Sequence, residues 1–177
     1  MTPRGEGKAQ ALLHLVCGST GAGKTTYAAA LAAREGAVLF SIDEWMGRLY
    51  WPDAVPGADA DWGMERVERA TAQMRAVIGQ LAALGVPSVA DAGFTTRADR
   101  AAFADWAREQ GIPVRLHWLD LPPELRWSRV EARNRAGGEG TGFEVTRAMF
   151  DFVEGLWEAP DAAEMAALGG VRMGAEG

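Results

Sequence analysis

Residues 18–25 read Gly18-Ser19-Thr20-Gly21-Ala22-Gly23-Lys24-Thr25, an unbroken match to the pattern G-x-x-x-x-G-K-[ST]. Each position has a physical purpose. The glycines let backbone N–H groups turn inward on a polyphosphate without Cβ clashes. A helix beginning near Lys24 adds the positive end of its dipole. Lys24 offers a full charge to β- and γ-phosphates, and Thr25 offers a hydroxyl to Mg²⁺. The candidate nucleotide-binding residues are therefore Gly18, Ser19, Thr20, Gly21, Ala22, Gly23, Lys24, Thr25 and Thr26. Lysine is scarce in this chain, with only Lys8 and Lys24 among 18 basic residues. One of the two stands where a compact ammonium is needed.

The flanks give the loop its setting. Leu12–Cys17 is a short apolar run read as a buried parallel strand, and Lys24–Arg34 has helical Ala and Leu density. Val38–Ser41 is a second strand, and 44–61 reads as irregular, broken by Pro52, Pro56 and Gly57. Met64, Val67, Thr71, Met74, Ile78 and Leu81 recur at helical spacing and predict a helix over 64–84. Pro87–Asp91 is a third strand. Thr96 and Asp99 form a capping-box pattern for a helix burying Ala102, Phe103, Trp106 and Ala107. Val114–Leu119 is a fourth strand, Pro122 and Pro123 open a helix to about Asn134, 136–142 is a Gly-rich loop, and another helix covers Val145–Trp157. A short fifth strand is expected near Val171. This alternation predicts a parallel sheet with helices on both faces and ligands at the carboxyl ends of its strands.

Composition narrows the function. The chain has 177 residues, one domain's worth at roughly 150 residues per domain. Net charge is −6, which disfavours non-specific nucleic-acid coating and anionic membrane surfaces. A single cysteine, Cys17, excludes an internal disulfide and a multi-cysteine zinc site. It reads as a small buried strand residue, and His14 and His117 as core or hydrogen-bonding groups. No run is long enough to span a bilayer, so a cytoplasmic protein is expected. The guanine-reading N-K-x-D motif of GTPases is absent.

Asp43 follows the second strand, one helix after the loop. That early position suits a carboxylate accepting the proton of an acceptor hydroxyl, although an Asp there also serves as a helix cap. Five stretches now stand in order: CGSTGAGKTT, SIDEW, VADAGFTTRADR, ELRWSRVEARNR and VTRAMFDFVEGLWEAP. Over residues 12–165 the chain resembles the small P-loop kinases that group with polynucleotide 5′-hydroxyl kinase, chloramphenicol phosphotransferase and zeta toxins. The resemblance implies a three-layer P-loop NTPase fold, strand order 2-3-1-4-5, with a helical lid over about 122–145. It implies ATP and Mg²⁺ as cofactors, Asp43 as general base, Asp91 as a metal-site residue beside Thr25, and Arg129 and Arg133 as lid arginines. It also places Trp157 near the adenine. Two departures stand out. Ala92-Gly93 occupies the place of Thr-Asn in polynucleotide kinases, and Met46 the place of an arginine three residues after the base.

Helical spacing also puts Arg126, Arg129 and Arg133 on one face, for phosphates or for solvent. Residues 44–65 hold Trp45, Trp51 and Trp62 among acids, with Arg48 the one basic residue. Indoles suit sugars, bases or cations, and can equally pack the insert. The expected activity is transfer of the γ-phosphoryl of ATP to a small-molecule hydroxyl. The alternatives are a polynucleotide 5′-hydroxyl kinase and a regulatory or toxin-like ATP-binding protein.

Overall fold

The computed structural model describes residues 11–54, 60–136 and 144–174. The strands are β1 (Leu13–Cys17), β2 (Val38–Ser41), β3 (Ser88–Asp91), β4 (Val114–Leu119) and β5 (Val171–Met173). The helices are α1 (Lys24–Glu35), α2 (Ile42–Leu49), α3 (Ala60–Ala83), α4 (Arg97–Glu109), α5 (Pro123–Arg135), α6 (Arg147–Leu156) and α7 (Ala162–Ala167). The five strands form one parallel sheet in the order β2-β3-β1-β4-β5. This is the predicted P-loop NTPase fold and strand order.

Strand β1 is fully buried, and its alternate residues feed opposite layers. Leu13, Leu15 and Cys17 point into the larger core with Phe40, Ile42, Met46, Met74, Ile78, Phe103 and Leu116. Val16 points the other way, onto Ala28, Leu31 and Ala32 of α1 with Val89 and Leu119. Helix α1 therefore covers one face, and α2, α3 and α4 the other. A satellite cluster of Val130, Val145 and Phe150 joins α5 to α6.

The two histidines meet across the β1–β4 pair. His14 Nδ1 lies 2.9 Å from His117 Nε2, and the Tyr27 hydroxyl lies 2.9 Å from His117 Nδ1. Burial holds both imidazoles below their ordinary value, His117 down to about 4. Cys17 is wholly buried, and burial pushes its thiol up to about 12, so it packs and does not react.

Three sequence expectations need correction. Residues 44–61 are not irregular throughout, since 42–49 form α2 and Trp51–Asp53 a short 3₁₀ turn. The Ser41 hydroxyl caps α2 by accepting from Glu44 N–H, while Ile42 and Met46 face the core one turn apart. In α4 the capping box forms as read, but Arg100 and Ala104 are buried where Ala102 was expected. Helix α7 was not foreseen. The loop expected at 136–142 falls almost wholly outside the described residues. Among the described residues no helix is long and apolar enough to cross a membrane.

Candidate active site

The loop between β1 and α1 opens at the carboxyl end of the sheet. Gly23 is the helix N-cap at φ +88° and has no side chain to satisfy the first N–H groups of α1. Those donors are left for an anion. Gly21, at φ +79°, is held for a different reason. A Cβ there would sit 2.5 Å from the backbone oxygen of Arg126 and 3.0 Å from Val130. The loop tip thus packs directly on α5. Lys24 Nζ reaches back across the loop to the Ser19 carbonyl at 3.4 Å. Ala22 is buried, and Thr25 and Thr26 are exposed on the first turn of α1.

Beside the loop, Asp91 ends β3 and is 5% exposed. The Thr25 hydroxyl donates to its Oδ2 at 3.3 Å. Burial pushes the Asp91 carboxyl above its ordinary value. The Lys24 ammonium opposes this, the Asp43 charge adds to it, and the Thr25 hydroxyl opposes it again. Asp43 is exposed in the first turn of α2, next to β3 because β2 and β3 pair in register. Ser41 takes the capping role, so the Asp43 carboxylate is not the cap. The two aspartates and the hydroxyl therefore converge at one end of three neighbouring elements.

The arginines of α5 divide. Arg126 is 3% exposed, and every guanidinium nitrogen is engaged. Nε donates to Leu121 O at 2.9 Å, Nη1 to Thr20 O at 3.1 Å and Nη2 to Glu154 at 2.7 Å. It is neither solvated nor free for phosphate. Arg129 places Nη1 3.6 Å from the Cβ position of Gly23, at the mouth of the loop. Arg133 has a buried Nε with no hydrogen-bond partner.

Glu154 of α6 was not picked out from sequence. It also accepts from Ser19 Oγ at 2.7 Å, so one carboxylate ties the phosphate loop to the base of α5. The Arg126 hydrogen bond, helped by that from Ser19, holds the carboxyl below its ordinary value. Its sequence signal, one acid in a helix of mixed character, is indistinguishable from a surface residue.

A cavity of about 570 Å³ adjoins the loop on the β4 side. Ser19, Trp118, Pro122, Arg126, Trp157 and Arg172 are among the residues lining it. Trp157 is one of its walls. On the other side, Trp45 packs on Phe40 with ring centres 6.0 Å apart and belongs to the core. Trp51 and Trp62 pair at 5.6 Å, and Arg66 lies over Trp62 at 3.7 Å.

Among the described residues no three His, Cys, Asp or Glu side chains gather into a metal cage. The Thr25–Asp91 pair still fits Mg²⁺, which is commonly held by one or two protein oxygens together with phosphates and water.

A family model described as an AAA domain matches residues 13–158. The chain belongs to this AAA domain family. No curated protein matches it. Among solved structures, Chaetomium thermophilum Kti12 in complex with ADP-AlF3 aligns at TM-score 0.70 and 16% identity, covering 93% of this chain and 89% of that one. Mycobacterium tuberculosis APS kinase CysC in complex with AMPPNP and APS aligns at 0.61 and 18%, covering 94% and 90%. A chain of the Pnkp1/Rnl/Hen1 RNA repair complex aligns at 0.65 and 19%, covering 82% and 43%. At such identities the likeness is one of fold, the P-loop NTPase fold.

Proposed function

We propose that this protein is an ATP- and Mg²⁺-dependent kinase acting on a hydroxyl of a small-molecule acceptor. The observation that carries the reading is the convergence of Lys24, Thr25, Asp91 and the uncapping Asp43 at one end of the sheet. A phosphate loop alone binds nucleotide; an exposed carboxylate one strand away gives it somewhere to send a proton.

In this reading Lys24 leaves the Ser19 carbonyl and binds the β- and γ-phosphates. The free N–H groups of α1 hold the phosphate oxygens, and Arg129 and Arg133 close over the γ-phosphoryl. Bound Mg²⁺, held by Thr25 and Asp91, would neutralise phosphate charge. The acceptor oxygen attacks Pγ in line, the bond from Pγ to the bridging oxygen of ADP breaks, and Asp43 takes the hydroxyl proton. The unit over 122–145 acts as the lid, and 1–177 as one domain. The cavity lined by Trp118 and Trp157 would take the base.

The acceptor side favours a small molecule. Arg48 is the one basic residue between 44 and 65, and Glu44 pairs with it at 2.7 Å. A phosphodiester backbone finds no free cation on α2. The test is mass spectrometry of metabolite mixtures incubated with the protein and ATP. One hydroxyl compound gaining a phosphoryl group supports the reading. ATP binding with no acceptor modified, or transfer to oligonucleotide 5′-ends alone, overturns it.

A further inference from the structure

A second cavity, about 850 Å³, lies between the C-terminal halves of α3 and α4. Ala11, Gly85 and Ile112 bound it, each just ahead of a strand, so it opens at the amino-terminal end of the sheet. The length of β1, about 16 Å at ~3.3 Å per residue, separates this end from the phosphate loop.

Its one charged lining residue is Arg75. The guanidinium lies 4.7 Å from the Phe103 ring centre and 5.9 Å from that of Trp106. Its Nε is buried with no hydrogen-bond partner. Burial is the one cause acting on its proton affinity, which it lowers; no carboxylate among the described residues answers the charge. Arg75 is half-buried, and a methionine would cover the same rings without leaving an unpartnered Nε. The other walls are small or neutral: Ala76, Gly79, Ala83 and Gly85 leave room, and Gln80 and Gln110 bring amides. The volume is in the range of small-ligand sites.

We propose that this groove binds a small organic carboxylate, its anionic group on Arg75 and its apolar body against Trp106. A guanidinium fork meets a carboxylate with two parallel hydrogen bonds, which supplies the partner that Nε lacks. The Trp106 face and the small residues of α3 accept a flat apolar body.

Benzoate is a suitable probe, titrated into the ¹⁵N-labelled protein while amide and indole resonances are followed by NMR. The expected result is saturable movement of Gly79, Gly85 and the Trp106 indole, with a Kd in the millimolar range. Arg75→Met should weaken binding at least tenfold with the rest of the spectrum unchanged. Gly79→Leu keeps Arg75 and fills the groove, since a Cβ at Gly79 meets open space, and should abolish binding in a folded protein. Shifts confined to the amides of 18–26, equal binding by both variants, or no shift at about 50 mM benzoate would each overturn the proposal.

Discussion

Replacing Glu164 by leucine should be among the most damaging single changes outside the phosphate loop. Arg100 is 0% exposed, and Glu164 is its bidentate partner, with Nε to Oε1 at 2.5 Å and Nη2 to Oε2 at 3.0 Å. The remaining donor, Nη1, reaches Phe94 O at 3.3 Å, and the guanidinium sits 5.6 Å from the Trp157 ring centre. The variant would leave a buried cation with one carbonyl, which costs about 3–5 kcal/mol. For a domain of this size that is a drop of about 6–20 °C in Tm. The loss should spread toward the site. Helix α7 is tied to α4 by this pair and by Arg97–Asp161 at 2.5 Å, and Glu158 accepts from Arg97 N–H just after the Asp91 loop. Urea unfolding followed by tryptophan fluorescence is the assay. The double variant Arg100→Met with Glu164→Leu removes both charges and should recover most of the loss. A single variant within about 1 kcal/mol of wild type, or a double variant no better than the single, would refute the reasoning.

Other predictions follow from the same geometry. Gly21→Ala combines a strained φ of +79° with a backbone contact at 2.5 Å, and should cost at least about 2 kcal/mol in urea unfolding and weaken ATP binding. Glu154→Ala frees Ser19 and strands Arg126, so the ATP-analogue Kd should rise about tenfold in calorimetry, with Glu154→Gln recovering part of it. His117 titrates near 4 when folded and near 6.5 when unfolded, so the unfolded state takes up the proton first on acidification. Stability should be full above about pH 6.5 and fall by about 2 kcal/mol as pH drops toward 4. His117→Gln should flatten that slope in urea titrations at stepped pH.

Much of this architecture was written in local pattern. The loop, the first four strands and the long α3 announced themselves through apolar runs, glycines and helical spacing, whereas β5, Val-Arg-Met, left only a faint trace. Helix α2 was hidden because the breakers at 52–57 drew the whole stretch toward loop, while its helical signal is only Ile42 and Met46 behind a serine cap. Helix α7 is six residues long, under two turns, and Glu164 is its one polar position, so no period can show. The charged pairs were hidden for a different reason. Arg100–Glu164 and Arg126–Glu154 join residues far apart in sequence, and a buried arginine looks like a surface one until its partner is placed. Hence Arg126 read only as sharing a face with the lid arginines Arg129 and Arg133, and proved to be the clamp beneath the loop.

The central claim is that Asp43 takes the acceptor proton while the loop holds the nucleotide. Single-turnover transfer by Asp43→Asn, measured beside its ATP affinity, tests this most directly. The amide keeps the shape of the side chain and removes the base. Transfer should fall by about 10²–10⁴-fold with the ATP Kd unchanged. Wild-type transfer from Asp43→Asn would contradict the account.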